Sequence, residues 1–191
     1  MRNKLSLQIS PAVCILWALM LLILPFGWLV SCLAAAAFHE LCHIAAVKAC
    51  GGRITELEIG ATGARLQADS MTGWKTLLCT LAGPVGGLLP VLTARWFPRL
   101  ALCTLVHSAY NLLPILPLDG GKALCCMLEF ILPGKKGENV CRFIGQACSG
   151  LILLSGMLAA LAWNLGLMPL LPGILLLSTA AKRKRPCKPG F

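Results

Sequence analysis

The stretch AAAAFHELCHIAAVKAC (residues 34–50) places His39, Glu40 and His43 inside an otherwise apolar helical run. An ionisable side chain near the centre of a bilayer costs about 2.5–3.5 kcal/mol on insertion scales, so these three groups need partners. Residues i and i+4 share one face of an α-helix, so the two histidines can bind a single metal ion with Glu40 beside it. This pattern is typical of a hydrolytic zinc site. The alternative is a pair of histidines packed between helices and hydrogen-bonded to backbone carbonyls.

The composition is that of a membrane protein. Of the 191 residues, 58% are hydrophobic and 13% are charged, and the mean hydropathy is +0.80. These values predict several apolar segments of spanning length, with little chain left for an extramembrane domain. We therefore expect a single integral-membrane domain over residues 1–191, with an all-α polytopic fold of about six transmembrane helices in the lipid bilayer.

The net charge of +10 does not indicate nucleic-acid binding, because the basic residues lie between apolar segments rather than along one face. They act instead as topology signals, since Lys and Arg concentrate on the cytoplasmic side of membrane proteins. If both termini are cytoplasmic, only Arg95 and Arg99 of the 17 basic residues face outward. The sequence thus predicts a multi-pass protein of the cell membrane, with both termini inside.

The eleven cysteines are scattered through apolar runs, without a C-x-x-C pair or a disulfide framework. We expect them to be small buried hydrophobic residues. Cys42 lies about 100° around the helix from His43 and is expected to contribute packing rather than a metal ligand.

The apolar segments of the sequence predict where the transmembrane helices lie along the chain. The first, Pro11–Ser31, follows a basic start and resembles a signal peptide, but another apolar helix follows it directly, as in a retained hairpin. A polar loop is expected at residues 134–139. The remaining predicted helices are residues 32–49, 74–96, a fourth that begins near Leu100, 143–163 and 165–181, with a catalytic core over 31–132 and accessory helices at 11–31 and 143–181.

Two features lie between the predicted second and fourth spans. Residues 53–59 alternate polar and apolar side chains with the period of a strand, and residues 60–63 can turn the chain into a second strand. We expect a small β-hairpin there, either a plain connector or an edge on which an extended peptide adds as a strand. Gly83 and Gly87 form a G-x-x-x-G face that lets a neighbouring helix approach closely.

The fourth span is interrupted between Asn111 and Gly121, where Pro114 and Pro117 remove backbone donors. Irregular backbone at membrane depth is tolerated only where it is buried in protein or lines a water-filled cavity, and hydrolysis inside a bilayer needs such a cavity. Asp119 follows this break. A catalytic zinc ion needs a third protein ligand, and Asp119 is a candidate; its alternative role is to cap the helix that begins at Gly120.

Together, residues 39–43 and 111–121 resemble the site-2 protease family of intramembrane zinc metalloproteases, and in particular its compact branch that includes stage IV sporulation proteases. The resemblance covers about residues 31–132. It implies that His39, His43 and Asp119 bind one Zn²⁺ per chain, that Glu40 is the catalytic base, and that Asn111 contacts the substrate or the developing oxyanion. The chain departs from the family pattern at Cys42, where glycine is common, and at Gly87, where asparagine is frequent.

The resemblance implies an enzyme that hydrolyses peptide bonds within or near transmembrane segments of a membrane-anchored protein substrate. It also leaves room for a regulatory membrane partner. Two other classes remain open. One is an inactive membrane-protein binding module, which would have no need to keep the three ionisable residues and Asp119 together. The other is an ion or metal transporter, against which stand the lack of repeat halves and the single broken helix.

Overall fold

Helices form most of the chain in the computed structural model, which describes residues 6–9, 24–60, 63–69, 73–163, 170, 173–174 and 176–177. The described chain falls into two compact units that meet in sequence between Asn111 and Leu112. The elements are β1 (Ser6–Ile9), α1 (Phe26–Ala49), β2 (Arg53–Gly60), β3 (Gly63–Asp69), α2 (Trp74–Gly86), a 3₁₀ helix (Leu89–Thr93), α3 (Pro98–Asn111), α4 (Asp119–Ile131) and α5 (Lys135–Trp163).

Among the residues that the structure describes, three helical segments are long and apolar enough to cross a membrane. They are Phe26–Ala49, Trp74–Thr93 and Lys135–Ala162, with 24, 20 and 28 residues. These segments indicate a mostly helical membrane protein. The predicted first span and the run at 165–181 lie largely outside the described residues.

Helix α1 begins at Phe26, so the predicted start of the second span at Cys32 is wrong. Pro25 precedes the helix with φ of −55°, and a proline at a helix start loses no intrahelical hydrogen bond because its missing N–H would have no partner there. The helix ends in a Schellman motif: Gly51 has φ of 79°, and the Gly52 N–H donates to the Val47 carbonyl over 2.9 Å. The helix that carries the histidines is therefore about 36 Å long.

The two strands between α1 and α2 join β1, which precedes α1, in a three-stranded sheet of order β1-β2-β3. Strands β2 and β3 are antiparallel, with Gly60 opposite Gly63, and an irregularity lies between Ile54 and Glu56. Strand β1 pairs in parallel with β2, which the sequence analysis did not predict. In the described sheet β2 is therefore central and β3 lies at an edge.

Helices α1, α2 and α3 pack against one another in the first unit. Val47 and Cys79 are fully buried between α1 and α2. At this end of the pair, the Lys75 ammonium donates to the Cys50 carbonyl over 3.3 Å. At the other end, the Arg99 guanidinium lies 6.0 Å from the ring centroid of Trp28, within reach of a cation–π contact.

The predicted third span is not one regular α-helix. Helix α2 stops at Gly86 rather than continuing to Trp96, and a short 3₁₀ helix follows it. Pro84 lies inside α2, and a proline there removes one backbone hydrogen bond and favours a break shortly afterwards. The break places a glycine-rich turn beside the histidines.

In the second unit, the predicted interruption of the fourth span is confirmed, because α3 ends at Asn111 and α4 begins at Asp119. The Leu116–Pro117 peptide bond between them is cis. Two glycines at the start of α4 contact this irregular segment: a Cβ on Gly121 would lie 2.5 Å from the Ile115 carbonyl carbon. Ile115 and Leu118 are buried in a small core with Leu176.

Helix α5 begins at Lys135, so the predicted loop at 134–139 and the predicted helix start at Phe143 are wrong. Gly134, with φ of 83°, ends the connection, and Glu138 in the first turn interacts favourably with the helix dipole. The expectation that the cysteines are only small buried hydrophobic residues is also wrong for two of them. Cys125 of α4 and Cys141 of α5 form a disulfide, which ties the first turns of α5 to α4.

Candidate metal centre

His39 and His43 lie one turn apart on α1, and both are buried, with 2% and 6% of their surfaces exposed. Their Nε2 atoms are 3.2 Å apart. Two nitrogens bound at about 2.0–2.1 Å to one tetrahedral zinc ion lie about 3.3 Å apart. The spacing thus fits two ligands of a single ion, as the sequence motif predicts.

The ring of His43 is held in one orientation. Its Nδ1 lies 2.7 Å from the Cys79 carbonyl of α2. Because a carbonyl oxygen only accepts hydrogen bonds, Nδ1 carries the proton and Nε2 keeps its lone pair. A metal-binding histidine characteristically donates its other ring N–H in this way, which fixes the tautomer and the ring direction. His43 is therefore arranged as a ligand through Nε2.

Gly83 provides the space for this ring. A Cβ built on Gly83 would overlap Nε2 of His43 and lie 2.5 Å from its Cε1 atom. On the same turn, a Cβ on Gly86 would lie 2.6 Å from the Cys42 sulfur. The close helix approach predicted for this glycine face is thus confirmed, and at Gly83 the approaching group is a candidate ligand itself.

Glu40 follows His39 on α1 and is half-buried. Consecutive residues differ by about 100° around a helix, so its carboxylate stands beside the histidine face rather than on it. This is the position expected for a group that acts on a water molecule at the ion without binding the ion.

The sequence analysis did not single out His107. Its ring packs edge-to-face on His39, with ring centroids 4.8 Å apart, so His39 lies between two imidazoles. The signal was present, because an ionisable residue in an apolar helix is costly wherever it occurs. His107 has no second histidine at helical spacing in its own segment, so no sequence motif includes it.

Asn111 ends α3, one turn after His107. Its side-chain amide donates to the His107 carbonyl over 3.1 Å, and the residue is half-buried. An amide retains an oxygen and a second N–H after that bond is made. The role predicted for Asn111, contact with a substrate or an oxyanion, stays a prediction.

In the second unit, Asp119 is the first residue of α4 and is 5% exposed. Its Oδ1 atom accepts a hydrogen bond from the Lys122 ammonium over 2.9 Å. Leu118 occupies the N-cap position of α4, so Asp119 lies inside the first turn. Asp119 is therefore not the N-cap residue, which was its alternative predicted role. A carboxylate in the first turn interacts favourably with the helix dipole.

Comparison with known proteins gives relatives of one kind, although no family model matches the chain. The chain is 28% identical over 156 residues to a predicted zinc metalloprotease of Synechocystis sp., covering 73% of this chain and 39% of that protein. It is 24% identical over 159 residues to a zinc metalloprotease of Methanocaldococcus jannaschii, covering 76% and 44%. The matches therefore span less than half the length of these curated relatives.

The fold gives an independent comparison. A site-2 protease from Methanocaldococcus jannaschii superposes with a TM-score of 0.70 over 98% of this chain and 94% of that chain, at 20% sequence identity. The likeness of fold thus extends over nearly all of both chains. The chain is thus similar in sequence to zinc metalloproteases and in fold to a site-2 protease.

Proposed function

We propose that the chain is an intramembrane zinc metalloprotease that hydrolyses peptide bonds within or near transmembrane segments of membrane-anchored proteins. The observation that carries the proposal is the buried His39–His43 pair, with Nε2 atoms 3.2 Å apart and the His43 ring fixed by a backbone carbonyl. Neutral imidazole is a preferred zinc ligand, and both rings lie in an apolar helix where idle histidines are costly.

We assign the third zinc ligand to Asp119. Two observations support this role: the residue is buried, and it lies in the first turn of α4, where a carboxylate interacts favourably with the helix dipole. The Lys122 ammonium contacts Oδ1 of this carboxylate over 2.9 Å. A catalytic zinc site takes three protein ligands and keeps one position open, so His39, His43 and Asp119 make a sufficient set for one Zn²⁺ per chain.

The remaining residues act on the substrate and on the attacking water. When bound, zinc supplies Lewis acidity for the scissile carbonyl and for the water. Glu40 accepts the proton of the water and passes it to the leaving amine. Asn111 holds the substrate or stabilises the developing oxyanion.

A transmembrane substrate must unwind before attack, because its carbonyls are engaged in helical hydrogen bonds. We assign the edge strand β3 to hold the unwound segment as an added strand, since β2 is already paired on both sides. The proposed substrate is a membrane-anchored protein, and the proposal leaves room for a regulatory membrane partner.

We also propose that the protein crosses the cell membrane several times, in about six spans, with both termini in the cytoplasm. In the first unit, Lys48, Arg53 and Lys75 lie at the sheet end of α1 and α2, while Arg95 and Arg99 follow the opposite end of α2. The larger basic group marks the cytoplasmic side. Labelling from the outer face of a cysteine introduced at residues 51–73 would contradict this topology.

The function is tested by purifying the full chain, measuring bound zinc, and co-expressing it with single-span membrane proteins. We expect one zinc per chain and cleavage of a substrate. Asp119→Asn should lose zinc and cleavage together while the fold survives, because the neutral amide is a poor ligand but a tolerated first-turn residue. Zinc binding without cleavage of any substrate would indicate a binding module, and transport of ions by vesicles containing the chain would indicate a transporter.

A further inference from the structure

Ser108 differs from the other buried hydroxyl residues that the structure describes. It is 1% exposed, yet its Oγ atom has no hydrogen-bond partner among the described residues. Three other buried hydroxyls each donate to a carbonyl one turn earlier in their own helix, at 2.8–2.9 Å; they belong to Thr80, Thr104 and Ser149. A buried polar group without a partner costs about 1–3 kcal/mol, so a group that remains in this state calls for an explanation.

The Ser108 hydroxyl lies over Gly87, in the turn that follows α2. A Cβ built on Gly87 would be 2.6 Å from Oγ of Ser108 and 3.5 Å from Nδ1 of His39. Both polar atoms therefore border the same small space, which is open because residue 87 has no side chain. The hydroxyl can move within this space by rotation about the single χ1 bond of serine.

His39 has a requirement that this hydroxyl can meet. Its Nε2 faces Nε2 of His43, so Nδ1 is the nitrogen directed toward Gly87. Metal-binding histidines donate this second N–H to an acceptor, which fixes the tautomer and the ring direction. For His43 that acceptor is the Cys79 carbonyl. A serine oxygen, with two lone pairs, is a suitable acceptor for His39.

We propose that Ser108 is a positioning residue for His39, accepting the Nδ1–H across the space over Gly87 and so directing Nε2 toward the metal. The inference rests on the zinc site of the proposed function and deepens it. Ser108 contacts neither the substrate nor the reacting atoms. Its effect is to keep His39 in the tautomer and orientation in which it can bind zinc.

The test is Ser108→Ala in the full chain, which removes one oxygen atom. Zinc affinity is measured by competition with a chelator in detergent, and we expect it to fall about 10- to 100-fold, the usual cost of losing such a partner. Thr104→Val is the matched control. It lies one turn earlier on α3, is equally buried, and loses a hydroxyl whose acceptor, the Ala101 carbonyl, belongs to its own helix. Its zinc affinity should stay within about threefold of wild type, since the hydrogen bond that it loses lies within its own helix.

Cobalt substitution separates positioning from packing. The visible absorption bands of bound Co²⁺ report the geometry of its ligands, and we expect them to change in Ser108→Ala and not in Thr104→Val. If the hydroxyl has only a packing role, the bands should stay unchanged in Ser108→Ala, because removal of an unpartnered buried oxygen is neutral or stabilising and displaces no ligand.

The outcomes separate this inference from the proposed function. Wild-type protein that binds zinc but cleaves no membrane substrate would contradict the proteolytic function, and the zinc comparison of the variants would still decide the role of Ser108. Ser108→Ala with wild-type zinc affinity and an unchanged cobalt spectrum, in a wild-type enzyme that cleaves, would overturn the role of Ser108 alone.

Discussion

Substitution of Gly83 by alanine tests whether the close contact between α2 and the His43 ring is needed for metal binding. An added Cβ would overlap Nε2 of His43 and lie 2.5 Å and 2.6 Å from its Cε1 and Cδ2 atoms. Ordinary carbon contacts are about 3.5–4.0 Å, so the ring or the helix must retreat by about 1 Å. Neither can do so freely, because the ring is tied to the Cys79 carbonyl at 2.7 Å.

This displacement exceeds what a zinc site tolerates, since ligand distances vary by only about 0.2 Å. We expect Gly83→Ala to weaken zinc binding by at least about 100-fold, or about 2.7 kcal/mol, because it displaces a ligand rather than the partner of one. The strain of overpacking should also lower stability by about 1–3 kcal/mol, offset in part by the better helix propensity of alanine.

Chelator competition and thermal unfolding of the purified chain measure both effects. Gly150→Ala is the matched control, because a Cβ at Gly150 of α5 has no atom within 4 Å. Zinc affinity in Gly83→Ala within about threefold of that in Gly150→Ala would refute the claim that His43 binds the ion in the orientation described.

Two further substitutions test the second unit. Gly120→Ala would drive a Cβ into the backbone carbonyl of Leu112, which cannot move as a side chain can, so we expect a thermal unfolding temperature clearly below that of Gly150→Ala; equal temperatures would contradict the packing at the start of α4. Replacing Cys125 and Cys141 by serine opens a cross-link between residues 16 apart in sequence and should cost about 3 kcal/mol of stability; an unfolding temperature that matches wild type under oxidising conditions would contradict the disulfide.

The pairing of His39 and His43 in the first unit could be predicted from the sequence because it is local. Histidines at i and i+4 lie on one face of a helix whatever surrounds that helix. A small residue such as Gly83 allows a neighbouring helix to approach closely in any helical bundle. The break between Asn111 and Asp119 was equally predictable, since two prolines within a few residues exclude a regular helix.

Features that depend on tertiary contacts could not be predicted in this way. The polar residues at 135–139 have the composition of a loop, but α5 includes them because their turns are tied to α4 through Cys141. The start of α1 at Phe26 lies inside the predicted first span. The residue that marks this start is Pro25, which directly precedes the helix. The environment of Ser108 follows from the approach of α3 to the turn at Gly87, and its own sequence neighbourhood carries no sign of it.

In the proposed function, the histidine pair holds the zinc ion and Glu40 is the base for hydrolysis of the peptide bond. Glu40→Gln tests it most directly, with zinc content and cleavage of a single-span substrate measured on the same preparation. Glu129→Gln, which changes an exposed glutamate of α4 in the same way, is the control. We expect Glu40→Gln to keep its zinc while cleavage falls about 100- to 10,000-fold, because the amide keeps the shape but cannot accept the proton of the water. Near-normal cleavage by Glu40→Gln, with Glu129→Gln also active, would contradict the role of Glu40 as the base.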